Sequence, residues 1–291
     1  MDILVFTTVV LPFLAAIALL LLRDKGSRSL IVIGSAVILA AASLAMVGQG
    51  SFEFSPKSIL GVGLDGLITL LDFALLVVIL VMAMTKLKSP LVTLLTAAQI
   101  LGLIYLEFFM MDHSAAAAAP ALFADKLSLI MVLVISIVGS LICVYALGYM
   151  PEHEEHLHLP KSKQPRFFFF LVAFLGAMNG LVLANNLLWL YFFWEVTTFC
   201  SFMLIGHDRT EIAIRNATRA LWINMTGGVA FVGAIIGIFY KTQSVEYFSL
   251  QNLINHSPEL TGFLLLPFAL LCFAGFTKAA QVPFQSWLCG A

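Results

Sequence analysis

Long apolar runs alternate with short polar stretches along most of this chain. An α-helix rises 1.5 Å per residue, so about 20 apolar residues cross the ~30 Å hydrocarbon layer of a bilayer. A window of that length predicts an all-α, polytopic transmembrane helix bundle of about nine helices. The apolar segments are roughly 3–22, 29–48, 65–86, 90–111, 125–149, 167–184, 186–206, 216–240 and 260–288.

Lysine and arginine are concentrated in every second loop between these segments. Ten of them follow the first, third, fifth or seventh segment, whereas the other loops hold Lys57, Lys126 and Lys241. Cytoplasmic loops carry the excess of basic residues. The alternation therefore predicts an N-terminus on the outer side of a cell (inner) membrane, and it supports the number of segments.

The composition is typical of a chain whose solvent is the lipid bilayer. Of the 291 residues, 61% are hydrophobic and 11% charged, and the mean hydropathy is +1.03. A soluble domain of this composition would have too little polar surface to cover itself. The net charge of -1 argues against nucleic acid as a partner.

No group of residues has the spacing of a standard metal site. The four cysteines lie singly in or beside apolar runs, as small core residues do. His153, His156 and His158 lie among acidic residues in the polar stretch 151–166, but their spacing fits no standard zinc site. We interpret this stretch as an inner-side loop available to a partner subunit, and we expect no metal and no cofactor in this chain.

Glu195 lies near the middle of the seventh segment. A charged residue at the centre of a membrane helix costs roughly 2.5 to 3.5 kcal/mol on insertion scales. We therefore expect Glu195 to face other helices or a wet cavity and to take part in ion movement. The alternative is a protonated side chain that is hydrogen-bonded within the bundle. Thr198 lies one turn further on, and we interpret the surrounding aromatic residues as packing residues.

Three other charged residues inside apolar segments are candidates by the same reasoning. Asp72 lies about two turns into the third segment, which favours a role in ion translocation. Glu107 lies near the outer interface, where solvation alone would explain it. Arg219, in the eighth segment, is either a fixed positive partner for an acid such as Glu195 or a side chain that reaches to the inner interface.

The last segment is too long for one straight crossing and contains its own helix breakers. Pro267 and Pro283 each remove a backbone hydrogen bond, and Gly275 lies between them. The pattern predicts a discontinuous last helix with Lys278 inside the interruption. Broken helices in transporters expose backbone groups to an internal wet site, so Lys278 is a candidate for handling protons.

Three ordered sequence blocks between residues 124 and 291 resemble one known family. The first runs from ADKLS to GYM, the second contains LLWLYFFWE, and the third reads FTKAAQVPFQSWL. They are similar to the antiporter-like subunits. This superfamily comprises the large proton-pumping subunits of respiratory complex I, the large subunits of multisubunit sodium/proton antiporters, and membrane subunits of energy-converting hydrogenases.

The resemblance implies roles for two of the candidate residues. Glu195 matches the glutamate of the family's WE motif, which belongs to an intramembrane charged axis. Lys278 matches the proton-carrying lysine of the KxAQxPFHxWL motif in a broken helix. Six further positions match this motif: Ala280, Gln281, Pro283, Phe284, Trp287 and Leu288. Gln285 replaces the usual histidine, and Cys289 and Gly290 replace a proline and an acid.

The resemblance also divides the chain. Residues 1–112 are predicted to form about four N-terminal transmembrane helices, and this N-terminal region is longer than is usual in the family. Residues 112–124 are predicted to form an Ala-rich outer loop. Residues 113–291 are predicted to form the first antiporter-like repeat, incomplete at its C-terminus. We expect either that another chain supplies the second half-channel or that the product or sequence is truncated.

Three classes of function remain open at this point. The first is a proton- or sodium-translocating subunit without its own redox centre, in a redox-driven complex such as an energy-converting hydrogenase or complex I-like oxidoreductase. Its partners would be other membrane subunits and a peripheral redox arm. The second is a large-subunit component of a multisubunit sodium/proton antiporter, and the third is a truncated structural membrane anchor. In the first two, we expect Glu195 to hold the proton of Lys278 and to release it when the two charges separate.

Overall fold

The computed structural model describes residues 2–22, 24–54, 64–110, 120–158, 162–256, 262 and 264–291. Most of the predicted Ala-rich loop, 112–124, lies outside this described part. Within it, eight helices are long and apolar enough to cross a membrane. They are α1 (Ile3–Leu21), α2 (Lys25–Gln49), α3 (Leu64–Leu87), α4 (Pro90–Phe109), α5 (Lys126–His156), α6 (Gln164–Leu183), α7 (Leu187–Ile205) and α8 (Glu211–Thr242).

Shorter elements complete the described part of the chain. The ninth predicted segment, the discontinuous one, contains a shorter apolar helix, in addition to the eight long helices of the described residues. The all-α fold itself is confirmed. The short elements are strands β1 (Phe52–Phe54) and β2 (Leu122–Ala124), which pair, and helices α9 (Leu250–Asn255), α10 (Leu265–Lys278) and α11 (Ser286–Cys289).

These elements are divided between two compact units. The first contains residues 1–54 and 123–183, and the second contains residues 55–122 and 184–291. Each unit therefore takes helices from both sides of residue 113. The division at residue 113 stays a prediction about the chain's relation to its family, and it does not describe how the helices pack.

In the first unit, α1 packs against α2 and α6, and α2 packs against α5. Acidic N-caps begin two of these helices. The backbone N–H of Ser27 donates to Asp24 at 2.7 Å, and that of Ser128 donates to Asp125 at 2.7 Å. These hydrogen bonds lower the pKa of both carboxyl groups, because they stabilise the charged form.

A buried amide links three helices of the first unit. Asn179 Nδ2, on α6, donates to the Thr8 carbonyl of α1 at 3.0 Å and lies 3.3 Å from Ser136 Oγ of α5. Polar residues at helix contacts stabilise membrane bundles, because lipid offers them no other partner. Asn179 therefore fixes the relative placement of α1, α5 and α6.

In the second unit, α8 packs against α4, α7 and α10, and α3 packs against α4 and α7. This arrangement surrounds the middle of α7 with helices. Asn186 caps α7 by accepting from the backbone N–H of Leu188 at 2.8 Å. Asn185 Nδ2 donates to the Pro120 carbonyl at 2.8 Å and to Ser249 Oγ at 3.1 Å. Both asparagines therefore stabilise the start of the helix.

Candidate functional site

Glu195 lies at the centre of the second unit and has 0% exposure. Neither carboxyl oxygen has a hydrogen-bond partner among the described residues. A buried carboxyl group without a partner is unfavourable, and its charged form is strongly so. The side chain therefore requires a proton, a cation or water, which is the requirement expected of an ion-handling group.

Two consecutive glycines of α8 allow neighbouring helices to reach this point. A Cβ at Gly228 would lie within 2.5 Å of both Gln99 Nε2 and Glu195 Oε1, so these two atoms are less than about 5 Å apart. A Cβ at Gly227 would overlap Thr277 Oγ1 of α10. Small residues permit such close helix packing in membranes.

Gln99, on α4, belongs with Glu195, Tyr191, Thr198 and Lys278 to a polar cluster around α7. We did not assign a role to Gln99 from the sequence. Its Nε2 donates to the Met225 carbonyl at 2.8 Å, and its Oε1 accepts from the Tyr191 hydroxyl at 3.1 Å. Gln99 and Tyr191 have 0% exposure. The signal in the sequence was an amide within an apolar helix, which is weaker than that of an intramembrane charge.

Lys278 contacts the helix that carries Glu195. Its Nζ donates to Thr198 Oγ1 at 2.8 Å and to the Trp194 carbonyl at 3.2 Å. It also lies 5.3 Å from the centre of the Trp194 ring, within the range of a cation–π contact. Within the described chain, no ion pair or hydrogen bond joins Lys278 directly to Glu195. Thr198, one turn beyond Glu195 on the same helix, accepts from Lys278 and donates its own hydroxyl proton to the Trp194 carbonyl at 3.0 Å.

The interruption that was predicted near Lys278 is present. The apolar helix α10 ends at Lys278, and Ala280 has a left-handed backbone with φ of 52°. Trp287 Nε1 donates to the Thr277 carbonyl at 2.9 Å, which satisfies an acceptor that a helix end leaves open. Pro267 lies in the first turn of α10, where a missing N–H disturbs no helical hydrogen bond. The break that we expected at Pro267 is therefore absent.

The remaining predicted residues are placed differently with respect to the cluster. Asp72, on α3, is 5% exposed, and α3 packs against α7, the helix that carries Glu195. Arg219 is half-buried on α8 and has no hydrogen bond or ion pair to any described residue. Gln281 and Pro283 are exposed in the turns after α10. The structure thus brings Asp72 and Lys278 toward Glu195, and it leaves Arg219 outside this group of contacts.

Most aromatic residues of α7 are buried, in agreement with their interpretation as packing residues. The Tyr191 and Trp194 rings lie 5.6 Å and 5.7 Å from the ring of Phe231 on α8. Tyr191 also binds Gln99, and Trp194 contacts Lys278. Two of the packing residues therefore also belong to the polar cluster.

Comparisons with known proteins agree with this architecture. A family model described as "NADH:quinone oxidoreductase/Mrp antiporter, TM" matches residues 184–291. A second model, "NADH-Ubiquinone oxidoreductase (complex I), chain 5 N-terminus", matches residues 113–168. The chain belongs to this superfamily of antiporter-like membrane subunits. It is accordingly a multi-pass membrane protein, and its orientation stays a prediction.

Individual relatives of this antiporter-like chain include the Na(+)/H(+) antiporter subunit A1 of Staphylococcus aureus strains JH9 and Newman. Each is 40% identical over 171 residues, which cover 57% of this chain and 20% of the relative. The chain thus spans about a fifth of the length of these relatives. A chain in the solved structure of the Mrp complex from Dietzia sp. DQ12-45-1b shares the fold, with a TM-score of 0.51 and 22% identity over 78% of this chain and 25% of that one.

The regions that the two family models match do not include every helix of the polar cluster around Glu195. Glu195, Thr198 and Lys278 lie within residues 184–291, which one family model matches. Asp72 and Gln99 lie on α3 and α4, outside both matched stretches. The site therefore combines a part shared with the superfamily and a helical hairpin that neither family model matches.

Proposed function

We propose that this chain is an ion-translocating subunit in which Glu195 and Lys278 exchange a proton through Thr198. The observation that carries the proposal is the hydrogen bond from Lys278 to Thr198, one turn from a fully buried Glu195 without a hydrogen-bond partner in the described chain. A lysine ammonium and a glutamate carboxylate form a donor and an acceptor for one proton.

The exchange balances without any added group. The Thr198 hydroxyl donates to the Trp194 carbonyl in this structure, so it must first turn toward Glu195. The ammonium of Lys278 then donates its proton to Thr198 Oγ1, while the Thr198 hydroxyl passes its own proton to Glu195. Lys278 then becomes a neutral amine and Glu195 a neutral carboxylic acid. The reverse transfer restores both charges. Movement of the turns after α10 would change the distance between Lys278 and α7, and it would thereby couple the exchange to neighbouring subunits.

Two kinds of assembly are candidates. The 40% identity to Na(+)/H(+) antiporter subunits A1 favours a multisubunit sodium/proton antiporter. The redox-driven complex expected from the sequence is the second candidate, and it is favoured by the family description that includes NADH:quinone oxidoreductase. In both, other membrane subunits complete the transport path. A peripheral redox arm belongs to the second candidate alone.

Transport by the purified, reconstituted complex tests the proposal. Glu195→Gln and Lys278→Ala should each abolish proton movement, while the assembled complex keeps its subunits. Glu211→Gln and Lys126→Ala are matched controls, because both residues are exposed at helix starts. Wild-type transport by either site variant would reject the proposed exchange. A proton flux driven by a sodium gradient identifies the antiporter, whereas a flux driven by electron donors identifies the redox-driven complex.

A further inference from the structure

The hairpin of α3 and α4 places polar side chains on helix faces that are otherwise mostly apolar. Before its last turn, α3 buries Ile68, Asp72, Leu76 and Ile79. The residues that α4 buries before its last turn are Val92, Thr96, Gln99 and Leu103. A carboxyl group and an amide thus face inward from two helices that neither family model matches.

A small cavity lies beside Asp72. Its polar lining consists of Thr69, Asp72 and Glu107, and its apolar lining comes from α3, α4 and Leu188 of α7. The cavity has room for about one water molecule. Asp72 makes no hydrogen bond to any described residue, and its Oδ1 is fully buried. Thr69 and Glu107 are partly exposed, so the cavity leads from the surface of the hairpin to a buried carboxyl group.

One face of α7 connects this cavity to the proposed exchange site. Leu188, Tyr191, Glu195 and Thr198 follow at intervals of three, four and three residues, which places them along one stripe of the helix. Tyr191 donates to Gln99, and Gln99 Nε2 lies less than about 5 Å from Glu195 Oε1. Polar groups therefore line α7 from the cavity to the residue that binds Lys278.

The charges around the cavity favour a cation. Glu107, Tyr191 and Glu195 are the titratable groups that face Asp72 from the neighbouring helices. None of them carries a positive charge, and Lys278 does not line the cavity but binds Thr198. Carboxylate and hydroxyl oxygens are the ligands that hard cations prefer. A buried carboxylate in such surroundings requires a small cation or a proton.

We propose that the Asp72 cavity binds a small monovalent cation, a hydrated proton or Na⁺, and that Gln99 and Tyr191 connect it to Glu195. This second site deepens the proposed function and rests on it for the direction of transfer. Asp72 and Glu107 are the binding groups. Gln99 is a positioning residue, because it acts on Glu195 and Tyr191 and does not line the cavity.

Binding measurements on the intact complex test the site separately from transport. In the wild type, either NaCl raises the melting temperature more than choline chloride does, or an infrared band of a protonated carboxyl group appears as the pH is lowered. The first outcome identifies Na⁺ and the second a proton. Asp72→Asn should remove whichever response the wild type shows, whereas Glu195→Gln should keep it. Asp65→Asn is the matched control, because Asp65 is exposed on the same helix.

A positioning role for Gln99 has its own readout. Gln99→Leu should slow transport but leave the cation response of Asp72 intact, and Thr93→Val provides a control on the same helix. The cation site would be overturned if Asp72→Asn kept the response that the wild type shows, or if the wild type showed neither response. Loss of the response in Asp72→Asn together with normal transport by Glu195→Gln would reject the proposed exchange and retain the site.

Discussion

Lys278 Nζ donates a 2.8 Å hydrogen bond to Thr198 Oγ1, and Thr198 lies one helical turn beyond Glu195. The basic group of this antiporter-like chain thus binds a hydroxyl on the helix of the acidic group, and the two form no direct ion pair in the described structure. A hydroxyl both accepts and donates a proton, so this arrangement supports the proposed transfer once the hydroxyl turns from the Trp194 carbonyl toward Glu195. A direct ion pair would hold both charges in place.

The role of the hydroxyl can be tested by removing it. Thr198→Val keeps the shape of the side chain, and it should slow proton transport by about tenfold, the factor that corresponds to one hydrogen bond of roughly 1.4 kcal/mol. Thr198→Ser keeps the hydroxyl and should retain most of the activity. Proton flux in proteoliposomes measures both. Equal fluxes for the valine and serine variants would mean that the hydroxyl is not on the path.

Close packing at Gly228 predicts a strong effect of one methyl group. Gly228→Ala would place Cβ against Gln99 and Glu195, and overpacking of this kind costs typically about 1–3 kcal/mol. We expect a lower melting temperature and impaired transport. Gly233→Ala, on the same helix, is the control, because its Cβ would meet Leu270 at an ordinary 3.6 Å. Equal melting temperatures for the two variants would contradict the described packing.

The buried amide of the first unit should contribute to stability. Asn179→Ala removes the hydrogen bonds to the Thr8 carbonyl and Ser136. Because hydrogen bonds between membrane helices contribute about 0.6 to 2 kcal/mol each, we expect a free energy of unfolding lower by about 1–2 kcal/mol. Unfolding in mixed detergent measures this value. Ser140→Ala on α5 is a control, since Ser140 Oγ has no hydrogen-bond partner in the described chain.

The cap of α5 predicts a pH dependence outside the membrane-spanning segments. Hydrogen bonding from Ser128 lowers the pKa of Asp125 below the usual 3.8. A lowered pKa in the folded state means that the cap stabilises the helix above the pKa of the unfolded chain and loses this effect as the pH falls through the folded value. The Ser128 amide resonance should therefore shift below about pH 4. In Asp125→Ala this titration should be absent, and an unchanged titration would contradict the cap.

The sequence was sufficient to predict the helical fold, the position of Glu195 among other helices and the interrupted helix at Lys278. Apolar length and isolated charge are strong signals in a chain that lies in lipid. Gln99 received no role, because a neutral amide in an apolar helix carries no comparable signal. The absence of an ion pair between Arg219 and Glu195 in the described chain and the mixed order of helices in the two units depend on which helices pack together. The periodicity of a single helix does not specify its partners.

The most direct measurement of the central claim is infrared difference spectroscopy of the reconstituted complex during turnover. The account predicts a carboxyl band that changes with turnover, disappears in Glu195→Gln and no longer changes in Lys278→Ala, because the proton moves between these two residues. A Glu195 band that changes equally in the wild type and in Lys278→Ala would contradict the proposed exchange.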